Sequence, residues 1–335
     1  MRSVIVLLCL ISISFYGKSY SKGRSLSGQV PETNRIVDGV QYIAKDSAYL
    51  NLEEAPIVAE MDTRDHSITL YAPLIAPPDS LYISFVPGNL FTAQLQAIVE
   101  WDNQSGTYRY FYDIISDSSS VTPIWHFEIE WWDDYKQTYA PEGWSARSLH
   151  PTLHERRVNY WSSFSRNQIQ KGDKLPGIGY QSYGPPVLTE FKLWGNSEIL
   201  GQYGEDEMFG SIYSGISDKF RGVEGITIAA WVSPESIEPV DWFRRVSTSI
   251  PILKNSGYLD NRVQSEIYPS VYSLYETFRL KENQTIEILE QHINTALAAL
   301  APYQSQMQPE AWAFITENMK YVLRHLDIVT FKEYP

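Results

Sequence analysis

The sequence predicts a mainly β protein, an antiparallel β-sandwich followed by a C-terminal α-helical hairpin. Three observations carry this. Between Gln29 and about Glu235, short alternations of apolar and polar residues are broken by Pro, Gly, Ser and Asn. The 23 Tyr and 10 Trp supply flat rings that suit a pleated surface while keeping a polar tip. Towards the C-terminus the apolar spacing changes from two to three or four.

Taken in order, residues 66–71 alternate, with Ile68 and Leu70 on one face, until Pro73, Pro77 and Pro78 break the run. Residues 81–86 alternate again through Leu81, Ile83 and Phe85, and Pro87-Gly88-Asn89 forms a turn. An apolar run over 94–101 ends at Trp101 before the loop 102–106. The clearest strand pair is 107–115 with 124–131. Tyr108, Tyr110 and Tyr112 share one side of the first. In the second, Ile124, His126, Glu128 and Glu130 alternate with Trp125, Phe127, Ile129 and Trp131. The serine-rich connection Ser116–Pro123 is expected to close a hairpin between them. Runs at 157–164, 187–194 and 226–232 continue the pattern, and short strands at this spacing argue for a sandwich.

Residues 233–270 mix prolines, serines and charges and read as an irregular connection. Beyond them Ile286, Leu289, Ile293, Leu297 and Leu300 make one amphipathic stripe, and Trp312, Ile315, Met319, Val322 and Leu326 a second. Pro302 ends the first helix and Pro309 suits the first turn of the next. The expected organisation is a signal peptide over 1–20, an N-terminal extension or first strands over 21–60 and the sandwich over 61–235. An irregular connection over 236–275 and a helical hairpin within 276–335 complete it.

Met1-Arg2-Ser3 followed by the apolar run Val4–Ile11 and the small or polar residues Ser14–Ser21 has the layout of a secretory signal peptide. The run is far shorter than the roughly 20 residues a membrane-spanning helix needs. The expected product is secreted or periplasmic, with no membrane insertion of the mature chain. Cys9, the single cysteine, lies within the apolar run, without the small residue before it that lipidation requires. No disulfide framework or thiolate chemistry is therefore expected after cleavage, and the chain reads more easily as bacterial than as eukaryotic. A net charge of −13 disfavours nucleic-acid partners.

The Tyr-x-Tyr-x-Tyr strand at 108–112, the Ser and Asp loop after it and Ile124-Trp-x-Phe-x-Ile together resemble a β-module of uncharacterised secreted bacterial proteins. Pro141-Glu142-Gly143-Trp144 is similar to the turn that follows this pair in such proteins. Residues 169–178 with the strand 189–194 resemble the module's closing part, although Lys171-Gly172-Asp173 stands where a second proline-glycine turn is expected. The resemblance spans roughly 90–200 and implies export and a β-fold. The immunoglobulin-like form of the sandwich is our own expectation. The resemblance transfers no catalytic residue.

The densest acidic cluster is Glu128, Glu130, Asp133 and Asp134, beside Trp125, Trp131 and Trp132. A glycosidase needs two carboxylates flanking the scissile bond, and Glu128 and Glu130 on one strand face would stand about 7 Å apart. The blander reading is a solvated strand face. His150 and His154 have a helical metal spacing, but Pro151 lies between them, so no metal site is assigned. The loops 102–106, 116–119 and 204–207 could offer oxygen ligands to calcium, although none has EF-hand spacing, and no other cofactor is expected. GxSxG, P-loop and dinucleotide fingerprints are absent from the sequence. The expected function is non-enzymatic binding of an extracellular or envelope protein or a glycan, with Trp125, Glu128, Glu130, Trp132 and Trp144 as ligand-binding candidates. A carbohydrate-active hydrolase using carboxylates near Glu128 and Glu130 is the alternative.

Overall fold

The computed structural model describes residues 25–27, 35–37, 40–44, 57–62, 64–72, 81–130, 135–149, 158–163, 166–203, 222–280 and 284–331. The expected signal peptide, Trp132 and the His150–His154 pair lie outside them. In chain order the strands are β1 (Ser25–Ser27), β2 (Arg35–Val37), β3 (Val40–Ala44), β4 (Ile57–Asp62), β5 (Ser67–Ala72), β6 (Leu81–Val86), β7 (Thr92–Asp102) and β8 (Thr107–Ser116). They continue as β9 (Ile124–Glu130), β10 (Tyr135–Tyr139), β11 (Trp144–Leu149), β12 (Val158–Ser163), β13 (Lys174–Ser182), β14 (Pro186–Gly195), β15 (Glu198–Tyr203) and β16 (Gly222–Ala230). Four helices follow: α1 (Pro239–Asn255), α2 (Asn261–Arg279), α3 (Ile286–Leu300) and α4 (Pro309–Arg324).

Two five-stranded antiparallel sheets, ordered β1-β7-β8-β13-β10 and β11-β12-β9-β14-β16, form the sandwich. The runs β7-β8-β13-β10 and β12-β9-β14-β16 reproduce the neighbour relations of the two sheets of an immunoglobulin sandwich. The order along the chain departs from it in one place, because the β11–β12 hairpin follows β10. A six-stranded sheet, β15-β6-β5-β4-β3-β2, takes the strands expected to open the sandwich. Its strands pair antiparallel except β3 with β4. Met61, Ile68, Leu70, Ile83 and Phe85 are buried apolar side chains of this sheet.

The connection Ser116–Pro123 does not close a hairpin, since β8 and β9 lie in opposite sheets. The hairpin is β7–β8, registered from Ala93 opposite Ser116 to Asp102 opposite Thr107. Gly106, at a φ of +63°, donates its N–H to the Asp102 carbonyl and closes it. The serine loop crosses between sheets because its hydrogen bonds lead elsewhere. Ser116 N–H reaches the Asp173 carbonyl, and Val121 and Thr122 N–H both reach the Leu90 carbonyl.

The interior is aromatic. Tyr108, Tyr110 and Tyr112 of β8 are buried with Tyr180 of β13, Phe127 of β9 and Trp161 of β12. A buried phenol must keep a hydrogen-bond partner, and these do. Tyr112 donates to the Ile228 carbonyl at 2.7 Å and Tyr180 accepts from Ala230 N–H at 2.7 Å, both reaching β16 of the opposite sheet. In the other direction Trp161 Nε1 donates to the Tyr139 carbonyl of β10 at 2.9 Å. Where β13 passes β8 the backbones approach so closely that a Cβ at Gly179 would stand 2.2 Å from the Tyr110 carbonyl oxygen.

Residues 236–275, expected to be irregular, hold most of two helices. The apolar period was present: Trp242, Phe243, Val246, Ile250 and Leu253 are buried on α1, and Val263, Ile267, Val271, Leu274 and Phe278 on α2. Pro251 and Pro269 hid it, since an interior proline removes a ladder bond. Both sit on solvent-facing positions, where the ladder opens outward most readily. Asp260 caps α2 by accepting from Val263 N–H at 2.7 Å. The expected hairpin is α3 and α4, joined by a 3₁₀ turn over Ala301–Gln306 with Pro302 near its start.

The helices dock on the sandwich. Helix α4 packs against β7, β14 and β16. Among the described residues no strand pairs with this edge of β7 beyond the short β1, and there Ala97 N–H donates to Glu310 Oε1 at 2.8 Å. Asn318 Nδ2 donates to the Pro186 carbonyl at 2.8 Å, and Tyr258 OH donates to the Ile226 carbonyl. Tyr108 donates to the Glu317 carbonyl and accepts from Arg324 Nη1 at 2.8 Å.

Candidate binding face of the second sheet

Strand β9 stands between β12 and β14. Phe127 and Ile129 point into the core, so His126, Glu128 and Glu130 face outward, as the alternation predicts. Register then builds two rows across the sheet. One runs Tyr160, Glu128, Lys192, Glu224 and the next runs Ser162, His126, Trp194, Gly222. The first row alternates in charge from β9 to β16. Lys192 Nζ lies 2.8 Å from Glu224 Oε1. Burial works to lower the Lys192 pKa, yet the hydrogen bond and charge of Glu224, with Glu128 and Glu190 behind them, raise it overall.

The second row centres on His126. Its ring stacks on Trp194 at a centroid distance of 4.3 Å and on Tyr160 at 5.3 Å. Trp194 lies close over Gly222, where a Cβ would stand 2.3 Å from its Cδ1. His126 is only 6 % exposed, and neither imidazole nitrogen has a hydrogen-bond partner. The nearest carboxylate oxygen, Glu128 Oε2, is 3.6 Å from Nε2, beyond good hydrogen-bond length. An imidazole held without partners costs free energy, and such costs concentrate at functional positions.

Of the sequence candidates, Trp125, Glu128 and Glu130 belong to this neighbourhood. Trp125 is half-buried, donates Nε1 to the Gly195 carbonyl at 3.0 Å and packs on His126 and Trp194. Trp144 does not belong. Its ring packs in the sandwich core and donates Nε1 to the Asn167 carbonyl. Trp132 lies outside the described residues. Sequence reasoning missed Tyr160, Lys192 and Trp194. Their strands were legible, but the register that sets them opposite β9 was not.

Glu128 and Glu130 project side by side from one strand face, with Phe127 and Ile129 turned into the core on the other. The carboxylates of two candidate calcium loops are engaged by their own turns. Asp102 Oδ1 accepts from Gln104 N–H and Asp117 Oδ1 from Ser119 N–H, bonds that come first in holding both carboxyls below the usual range. The 204–207 loop lies outside the described residues. Among the described residues, no group of three or more His, Cys, Asp or Glu could hold a metal ion. No helix there is long and apolar enough to cross a membrane.

No family model matches the chain, and no curated protein matches it. Among solved structures it is similar to an uncharacterised protein from Nocardia farcinica described as having an immunoglobulin-like fold. That likeness has 12 % identity and a TM-score of 0.26 over 42 % of this chain and 98 % of that one. It is also similar to a cohesin module from a family 33 glycoside hydrolase of Clostridium perfringens, at 10 % identity and a TM-score of 0.20, over 32 % of this chain and 91 % of that one.

Proposed function

We propose that this chain is an exported, non-enzymatic binding module that engages an extracellular or envelope protein or a glycan through the outer face of the β11-β12-β9-β14-β16 sheet. The observation that carries the reading is the stacked Tyr160–His126–Trp194 strip beside alternating charge on a strand face. Aromatic rings give contact area with little conformational entropy to lose, and flanking charges fix orientation. The layout of residues 1–21 supports export to the periplasm or the medium. A glycan array and capture from envelope extract test the binding, with the wild type beside Trp194→Ala and Lys192→Glu. The expected result is a defined ligand whose binding drops at least tenfold in Trp194→Ala. Silence in both assays, or binding indifferent to both substitutions, overturns the proposal. N-terminal sequencing tests export, with a mature chain expected to begin between about residues 17 and 24.

A further inference from the structure

Where the helices meet the sandwich, a cleft of about 110 Å³ opens between the start of β14, Trp231 just beyond β16, and helices α1 and α4. Its walls are mostly apolar: Leu188, Val246 and Phe314 line it with Ile252, which is 46 % exposed, while Ser249 and Asn318 add polar groups. Arg245 supplies its cation. The guanidinium lies over the Trp231 ring at 3.0 Å from the centroid, with Trp242 at 5.7 Å. Stacking satisfies the flat face of a guanidinium, but its donors lie in the plane and still need acceptors. Arg245 Nη1 is buried and has none. The nearby acid Asp241 is committed to Arg244 at 2.6 Å. Burial, ahead of the opposing pull of Asp241, lowers the Arg245 pKa to about 10, so the group stays charged at neutral pH.

A fixed cation with an unused in-plane donor, set in a small apolar cleft, has one complementary chemistry. We propose that this cleft binds a small organic carboxylate, its oxygens accepting from Arg245 and its short aliphatic or single-ring body resting on Leu188, Val246 and Phe314. An apolar cavity of about 150 Å³ admits benzene, so a space somewhat smaller but open to solvent suits a ligand of that order. The site is separate from the outer sheet face, and neither reading depends on the other.

Calorimetric titration of the full chain with benzoate tests this, with benzamide as the neutral isostere. Salt near 0.15 M limits the reach of the −13 net charge to about 8 Å. Saturable benzoate binding is expected, with benzamide at least tenfold weaker. Arg245→Met should weaken benzoate at least tenfold, and Ile252→Trp should block the cleft while leaving Arg245 in place. Equal affinity for benzoate and benzamide, or no saturable benzoate binding below about 10 mM, overturns the proposal. So does unchanged affinity in a folded Arg245→Met protein. Should Arg245→Met fail to fold, the benzoate–benzamide comparison on the unaltered chain decides, and Ile252→Trp locates the site.

Discussion

Glu310 is a buried carboxyl that should make this protein less stable as the pH rises. It is 3 % exposed, and burial raises its pKa from 4.5 to about 7 against the opposing hydrogen bond from Ala97 N–H. A folded-state pKa above the unfolded one means the folded chain holds the proton where the unfolded chain has lost it. The associated stability is therefore fully present below about pH 4.5 and is lost as the pH climbs to about 7. At about 1.4 kcal/mol per pH unit the whole window amounts to roughly 3 kcal/mol. Glu310→Gln keeps an oxygen for Ala97 N–H and cannot ionise. It should match the wild type near pH 4.5 and exceed it by roughly 2–3 kcal/mol at pH 8. Urea unfolding of both proteins at several pH values measures the difference, with other titrating groups cancelling between them. Parallel pH profiles, or a Gln variant less stable at pH 8, would refute the argument. Glu310→Ala, which leaves Ala97 N–H without its acceptor, should lose about 1–3 kcal/mol at pH 5.

Removing the Tyr112 hydroxyl with Tyr112→Phe should cost about 1–2 kcal/mol in urea unfolding, since the Ile228 carbonyl loses a buried donor. Gly179→Ala should abolish soluble folded protein, because no side-chain rotation relieves a 2.2 Å contact with backbone; a dispersed amide spectrum near wild type would contradict this. A chain ending after Val232 should aggregate, because it uncovers the β7 edge and Tyr108; a soluble remnant with unchanged melting temperature would show that the helices are dispensable.

The strands β5, β6, β7, β8, β9, β12, β14 and β16 were legible because each is an alternating or apolar run bounded by turn residues. Which strands pair was not legible. The longest Tyr-rich run and the run after it read as a hairpin, yet they fall in different sheets, since pairing depends on contacts far apart in sequence. The same blindness separated Glu128 from Lys192, and His126 from Trp194, which lie 64 and 68 positions further along the chain. Helices α1 and α2 were lost to local chemistry, because proline and serine outweighed a regular apolar period. Trp144 turns into the core, and its place near carboxylates in the sequence says nothing of which way the ring turns.

The two sheets are tied across their interior by Tyr112, Tyr180 and Trp161, each giving or taking one hydrogen bond at a backbone group of the opposite sheet. Many sandwiches close this span with a cystine, which makes folding wait on an oxidant and leaves the product open to reductants. Here the ties assemble with the core itself and contain no thiol or disulfide to oxidise or exchange. Burial raises the Tyr112 pKa well above the ordinary phenol value, so that hydroxyl also stays a donor in alkaline solution. The sandwich should reach the same closed form in a reducing compartment as in an oxidising one, with thiol reagents leaving its melting temperature unmoved.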